Sequence, residues 1–133
     1  MGFLFFKTAK EKEREERREK RHAIRKAEGA VDEVTERIKK MEKDAEAEWE
    51  RAKEATKEGK QAAAQRALTS YRSAQVLITK LEQKKWVFKQ VLMKMETAGT
   101  DAEFAKALGM VNKVTNINPE MVEDVFDEAG DLL

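Results

Sequence analysis

The sequence contains no cysteine, one proline and few aromatic residues. Without cysteine, disulfide bonds and thiolate metal sites are excluded. An aromatic content of 7% leaves few large side chains to fill the core of a compact domain. No apolar run approaches the ~20 residues that a membrane-spanning helix requires. The chain therefore fits neither a disulfide scaffold, nor a large globular enzyme, nor a membrane-spanning protein.

Residues that could serve in catalysis or metal binding are equally scarce. The only histidine, His22, lies within a run of charged residues, and no second histidine or cysteine exists to share a metal with it. There is no glycine-rich phosphate loop and no nucleophile motif. Most carboxylates have a lysine or arginine at helical spacing, which is typical of a solvated helix face. We therefore predict that the protein is not an enzyme and binds no metal or cofactor.

Charge is abundant and unevenly distributed. Charged residues form 40% of the chain, and strong helix formers dominate the rest, which favours long helices. The net charge is +4 over residues 7–28, −2 over 29–60, +5 over 61–100 and −6 over 101–133. A basic front and middle are thus followed by an acidic tail. This asymmetry indicates an anionic partner for the basic part.

A few helix-breaking residues divide the chain. Gly59 is suited to the left-handed residue at a helix end, and Ala98-Gly99 indicates a second end. Thr100 and Glu103 have the spacing of a capping box, and Asn118-Pro119 is a typical helix start. We predict one all-α domain over residues 1–133. Its parts are an N-terminal segment (1–7) and helices at 8–58, 61–97, 101–117 and 119–133.

The first two predicted helices each carry an apolar seam with alternating spacings of three and four residues. The first seam runs from Ile24 to Ala55 and the second from Ala64 to Met95, interrupted at Lys85. Two such seams around a tight turn predict an elongated antiparallel hairpin in which opposite residue numbers sum to about 118. Lys85 would then lie near Asp32 and Glu33.

Apolar residues outside these seams predict further contacts. A single partner helix cannot cover all of them, so they are expected to pack on the short third and fourth helices or on other copies of the chain. The simplest alternative is an isolated four-helix bundle. The candidate polymer contacts are Leu68, Leu77, Trp86, Val87, Val91, Phe104, Leu108, Val125 and Phe126.

The N-terminus combines an apolar segment with basic residues. Residues Gly2, Phe3, Leu4, Phe5 and Phe6 precede a stretch rich in lysine and arginine. Such a segment fits a bilayer interface, with the apolar part in the headgroup boundary and the cations on anionic lipid. In the alternative, the segment packs on the protein's own helices or a neighbour's. Because residues 7–28 are unbroken charge, we expect it to continue directly into the first helix.

A nucleic-acid interface is a weaker interpretation of the basic residues. Basic stretches bind phosphate without sequence preference. Here, however, acidic residues are interleaved with the basic ones, and no recognition motif accompanies them. We therefore predict no nucleic-acid partner.

Two stretches resemble the ESCRT-III family, the charged multivesicular body proteins. One is the hairpin turn from Ala52 to Lys60 with the following Ala62–Leu68 and Tyr71-Arg72. The other is the tail, from Ala107-Leu108-Gly109 to Asn118 and then Met121–Glu128. The resemblance covers residues from about Ala30 to Leu133 and is nearest the filament-forming branch.

The resemblance implies a cytoplasmic, peripheral membrane protein that opens, polymerises on membranes and drives their constriction and scission. It implies other ESCRT-III subunits and a disassembling AAA ATPase as partners, at endosomal or division-site membranes. Family members usually continue past the fourth helix to a short motif that engages the ATPase, whereas this sequence stops at Leu133. The implied lipid-facing residues are Lys7, Lys10, Lys12, Arg14, Arg17, Arg18, Arg66, Arg72 and Lys80.

Two other functions remain open at this point. A soluble coiled-coil scaffold or adaptor would use the same hairpin to bind other helical proteins, and it would not respond to lipid. A membrane-stabilising polymer resembling phage-shock protein A would share the long hairpin. The acidic third and fourth helices favour the ESCRT-III resemblance over the second alternative.

Overall fold

The computed structural model describes residues 8–115 as three helices. They are α1 (Ala9–Lys57), α2 (Gln61–Glu96) and α3 (Asp101–Thr115), and the described residues contain no strand. The predicted all-α fold, a long hairpin followed by a shorter helix, is confirmed. The predicted N-terminal segment, the last two residues of the third helix and the whole fourth helix lie outside the described residues.

A capping box defines the start of α1. The Thr8 Oγ1 accepts a hydrogen bond from the Glu11 N–H at 3.2 Å, and the Glu11 carboxylate accepts one from the Thr8 N–H at 3.2 Å. Thr8 has an extended backbone, with ψ of 160°. The expectation of an unbroken helix from the N-terminal segment is therefore wrong, because Thr8 and Glu11 satisfy the free N–H groups of a helix start.

The tight turn between α1 and α2 depends on Gly59. Its φ of +74° lies in the left-handed region, as the sequence predicts. The Gly59 N–H donates to the Thr56 carbonyl at 3.1 Å, and the Lys60 N–H donates to the Ala55 carbonyl at 2.8 Å. These two bonds use carbonyls that the end of α1 would otherwise leave without partners.

Replacing Gly59 by alanine is expected to lower the free energy of unfolding by about 1–2 kcal/mol, because an L-residue is strained at this φ. Gly29 provides the matched control. It lies inside α1 with open space around its missing Cβ, so Gly29→Ala should raise the free energy of unfolding by about 0.5–1 kcal/mol. Urea unfolding followed by circular dichroism measures both. Equal effects of the two substitutions would contradict this account of the turn.

The two seams pack α1 against α2 along their length. The Trp49 and Tyr71 rings lie 5.1 Å apart, which places residues whose numbers sum to 120 opposite each other. Near the turn the buried residues are all alanine: Ala45, Ala52, Ala55, Ala64 and Ala67. Towards the other end they are larger, and include Ile38, Ile78, Leu81 and Phe88. The predicted register is thus close to the observed one.

A second apolar row on α2 is buried with α3. Val87 and Val91 are fully buried, in one core cluster with the buried residues of α3. The α3 residues in this cluster are Phe104, Ala107, Met110, Val111 and Val114. A hydrogen bond from the Glu103 N–H to the Thr100 Oγ1 caps the start of α3 at 3.2 Å. The third helix therefore covers apolar surface that the hairpin seam leaves free.

Candidate functional site

The first part of α1 extends beyond the rest of the fold. Residues 8–19 are all exposed, and the first described contact with α3 is at Lys20. In the observed register Glu96, the last residue of α2, lies level with a residue near position 24. Residues 9–19, here named the overhang, span about 16 Å at 1.5 Å per residue. Within the described residues, nothing covers the overhang.

Basic side chains are collected on one face of the overhang and the turns that follow it. Successive members are one, three or four residues apart, so they share one side of a continuous helix. We name them the basic face, and all six are exposed: Lys10, Arg14, Arg17, Arg18, Arg21 and Arg25. The acidic residues Glu11, Glu15 and Glu19, spaced by four, form a stripe along the edge of this face, and Glu11 and Glu15 line one shallow cavity with Arg14 and Arg18. The overhang thus presents a positive row bordered by a negative one.

Ion pairing leaves this positive surface accessible. The Arg17 guanidinium lies 3.3 Å from the Glu13 carboxylate, and both side chains are largely exposed. An exposed pair of this kind contributes at most about 1 kcal/mol. An anionic surface can therefore compete for Arg17 at small cost. The basic face has the chemistry of a phosphate-binding surface about 23 Å long, from the 1.5 Å rise of the helix.

The structure brings together only some of the predicted lipid-facing residues. Lys10, Arg14, Arg17 and Arg18 share the basic face, whereas Lys12 lies on the opposite side of α1. Arg21 and Arg25 were missed, although they continue the same helical spacing in the sequence. Gly2–Phe6 and Lys7 lie outside the described residues. Membrane insertion of the apolar N-terminal segment and its position relative to the basic face therefore stay predictions.

The three basic candidates on α2 are separate from the basic face. Arg66 and Arg72 are exposed near the turn, and Lys80 is half-buried. In the observed register Arg72 lies opposite Glu48, about 45 Å along α1 from Arg18 at 1.5 Å per residue. These residues therefore lie in another part of the hairpin.

The predicted polymer contacts fall into three groups. Trp86 and Leu77 are 41% and 36% exposed, and Leu68 and Leu108 are half-buried. Val87, Val91 and Phe104 are buried within the chain, since α3 packs on α2. In this conformation they cannot touch another copy, so a polymer role for them requires α3 to move away. Val125 and Phe126 lie outside the described residues.

One polar contact joins α3 to α1. The Lys20 ammonium lies 2.6 Å from the Asp101 carboxylate and 5.6 Å from the centre of the Phe104 ring. The ion pair is solvent-exposed, so its contribution is small. Phe104 is 8% exposed and supplies the apolar part of the contact. The first turn of α3 is thus held mainly by burial of Phe104.

Lys84 is a buried lysine of the hairpin, next to Lys85, the residue that interrupts the predicted seam. Lys84 is buried because α2 buries two apolar rows, and Lys84 lies between them. Burial lowers the pKa of the Lys84 ammonium below its ordinary value of 10.5, and nearby Arg37 lowers it further. Glu33 opposes this shift. The charged form of Lys84 is therefore disfavoured by folding.

A pH dependence follows from Lys84. Because its pKa is lowered in the folded state, the unfolded chain binds the proton more tightly, and the free energy of unfolding rises as pH approaches 10.5. Replacing Lys84 by methionine should remove this rise, while Lys85→Met should keep it. Urea unfolding between about pH 7 and about pH 10 measures the effect. A rise that persists in Lys84→Met would assign it to another group.

No group of three histidine, cysteine, aspartate or glutamate residues within 8–115 is placed to hold a metal ion. In the same range, no helix has the length and apolar character needed to cross a bilayer.

Comparison with known proteins identifies the class of this helical hairpin. The family model Snf7 matches residues 19–132, most of the chain. The protein therefore belongs to the Snf7 family, whose domain is that of the ESCRT-III proteins. Members of this family are in general structural, associate peripherally with membranes and polymerise. No curated protein and no solved structure matches the chain.

Proposed function

We propose that this protein is the subunit of a polymer that assembles into filaments on anionic membranes and drives their constriction and scission. It acts from the cytoplasmic side as a peripheral membrane protein, with other ESCRT-III subunits and an AAA ATPase as partners. The observation that carries the proposal is the basic face of the overhang, set on a chain whose family consists of membrane-remodelling polymers.

The basic face matches an anionic bilayer in shape and charge. Its six cations lie along one side of the continuous helix α1, so they can approach one surface together. Each lysine or arginine near an anionic leaflet contributes about 1 kcal/mol. The apolar residues Phe3–Phe6, directly before α1, would add burial in the headgroup region. Single copies then bind weakly, and a polymer binds strongly through avidity.

Assembly uses the surfaces that α2 and α3 share. Val87 and Val91 are buried by α3 in the described conformation, while Trp86 and Leu77 already face solvent. In the open subunit, α3 leaves α2 and uncovers the buried row, which then packs on a neighbouring copy. The closed form therefore keeps the protein monomeric until a membrane concentrates it.

Co-sedimentation with anionic vesicles tests the membrane part of the proposal. The double substitution Arg14→Gln/Arg18→Gln removes two cations from the basic face, which should cost about 2 kcal/mol of binding free energy. That loss corresponds to roughly 30-fold weaker binding. The matched control Lys12→Gln/Lys26→Gln removes the same charge from the other side of α1 and should weaken binding less than about threefold.

The same assay separates the alternatives. Equal weakening by the two double substitutions would show that net charge, not the basic face, governs binding. A wild-type protein that forms a defined small oligomer and ignores anionic vesicles would instead be a soluble scaffold. Electron microscopy of the vesicle-bound fraction shows whether filaments form, and vesicle tubulation or release tests constriction.

A further inference from the structure

A groove lies between α1 and α3, and the proposed function makes no use of it. It is a cavity of about 290 Å³ that opens beside the overhang. Its floor is apolar: Ala23, Phe104, Ala105 and Leu108. Its rim carries three carboxylates, Glu16, Glu19 and Asp101, and one cation, Lys20, which pairs with Asp101. A ligand for this groove would combine an apolar body with positive charge.

The chain's own N-terminal segment has this composition. Residues 1–7 read Met-Gly-Phe-Leu-Phe-Phe-Lys, an apolar run that ends in a lysine. The apolar residues match the floor of the groove, and Lys7 carries the charge opposite to that of its acidic rim. The α2 side of α3 offers no such match, because the cavity there is lined by Lys94 and Lys106 together with one carboxylate, Glu103.

The segment is also long enough. From Thr8 the groove begins eight residues further along α1, at Glu16, and reaches past Lys20. These positions are about 12 and about 18 Å away along the helix axis. Seven extended residues span up to about 23 Å. Thr8 has an extended backbone, so the helical path of α1 begins only after this residue.

We propose that the groove between α1 and α3 holds the start of the N-terminal segment of the same chain when no membrane is present, and gives it up to an anionic bilayer. The groove then keeps apolar side chains out of water, and departure of the segment uncovers Phe104 at the contact between α1 and α3. Membrane insertion is thereby coupled to the loosening of α3. The release step rests on the proposed function, while occupation of the groove does not.

Disulfide cross-linking tests the occupation directly, because the chain has no native cysteine. One variant carries Gly2→Cys with Ala105→Cys, on the groove floor. The control carries Gly2→Cys with Lys106→Cys, the next residue, which lines the cavity on the other side of α3. Mild oxidation of dilute protein without lipid should give an intrachain disulfide in at least about fivefold higher yield for the groove pair, through its higher effective concentration.

Three results would overturn the proposal. Equal yields for the two pairs would show that the segment does not favour the groove. A product that links two chains would assign the groove to another copy. A groove-pair yield unchanged by anionic vesicles that the protein demonstrably binds would refute the release. Failure of the proposed function has a different signature: unoxidised protein would not sediment with vesicles, whatever the yield without lipid.

Discussion

Replacing Phe88 by alanine is expected to lower the free energy of unfolding of the hairpin by about 3–5 kcal/mol, the usual cost of truncating a buried phenylalanine. Phe88 is 1% exposed and is the largest fully buried side chain among the residues that the structure describes. It lies in the part of α2 that contacts both α1 and α3, and the Lys84 ammonium lies 6.0 Å from its ring centre. Its removal therefore leaves a cavity where three helices meet.

Urea unfolding followed by circular dichroism at 222 nm measures this loss, because nearly all described residues are helical. The control is Lys89→Ala, the next residue, which is exposed and should change the free energy of unfolding by less than about 0.5 kcal/mol. A small effect of Phe88→Ala would show that the hairpin does not depend on the core at this level.

Phe104→Asp is expected to detach α3 from the hairpin. Phe104 is 8% exposed, and an ionised carboxylate in its place would have to enter an apolar contact whose neighbouring cation, Lys20, is already paired with Asp101. Undocking α3 relieves this cost, and the exposed ion pair between Lys20 and Asp101 opposes it only weakly. Detachment uncovers Val87 and Val91, so the variant should also assemble at lower protein concentration than the wild type.

Hydrogen exchange measures the detachment amide by amide. Protection in α3 should fall by about 100-fold or more, as expected for loss of the burial of one large aromatic side chain, while α1 and α2 keep theirs. The control Ala102→Asp adds the same charge at an exposed position in the first turn of α3, where a carboxylate is favourable. Unchanged α3 protection in Phe104→Asp would mean that other contacts hold α3.

The hairpin is predictable from the sequence because its determinants are local. Spacings of three and four residues fix the seams, and within residues 8–115 Gly59 marks the only turn that needs a positive φ. Trp49 and Tyr71 lie opposite each other, so opposite residue numbers sum to 120, against the predicted 118. The register therefore differs by two residues, about half a helical turn. The difference is small because the length of the turn fixes the register.

Packing of α3 is harder to predict because it depends on distant parts of the chain. A pattern for one partner helix identifies one row on α2, so it leaves Val87 and Val91 to pack either on the short helices or on other copies. In the structure they form a second row within the same chain. The same cause explains the burial of Lys84, which lies between the two rows.

The basic face was only partly predicted, for a different reason. Local composition identifies the cations from Lys10 to Arg18, but which of them act together depends on the continuity of α1. Once the helix is known to run without a break from Ala9, its period excludes Lys12 and adds Arg21 and Arg25. The capping box at Thr8, which sets that start, is visible in the sequence as Thr8 and Glu11.

The all-alanine seam near the turn makes the two ends of the hairpin mechanically unequal. A methyl group buries far less area than phenylalanine or leucine, so each turn of the helices gains less free energy there. Separation of α1 from α2 should therefore begin at Ala52, Ala55 and Ala64 and proceed towards Phe88. The hairpin is compliant at the turn and stiff near Phe88, so bending stress in an assembly would be absorbed near the turn.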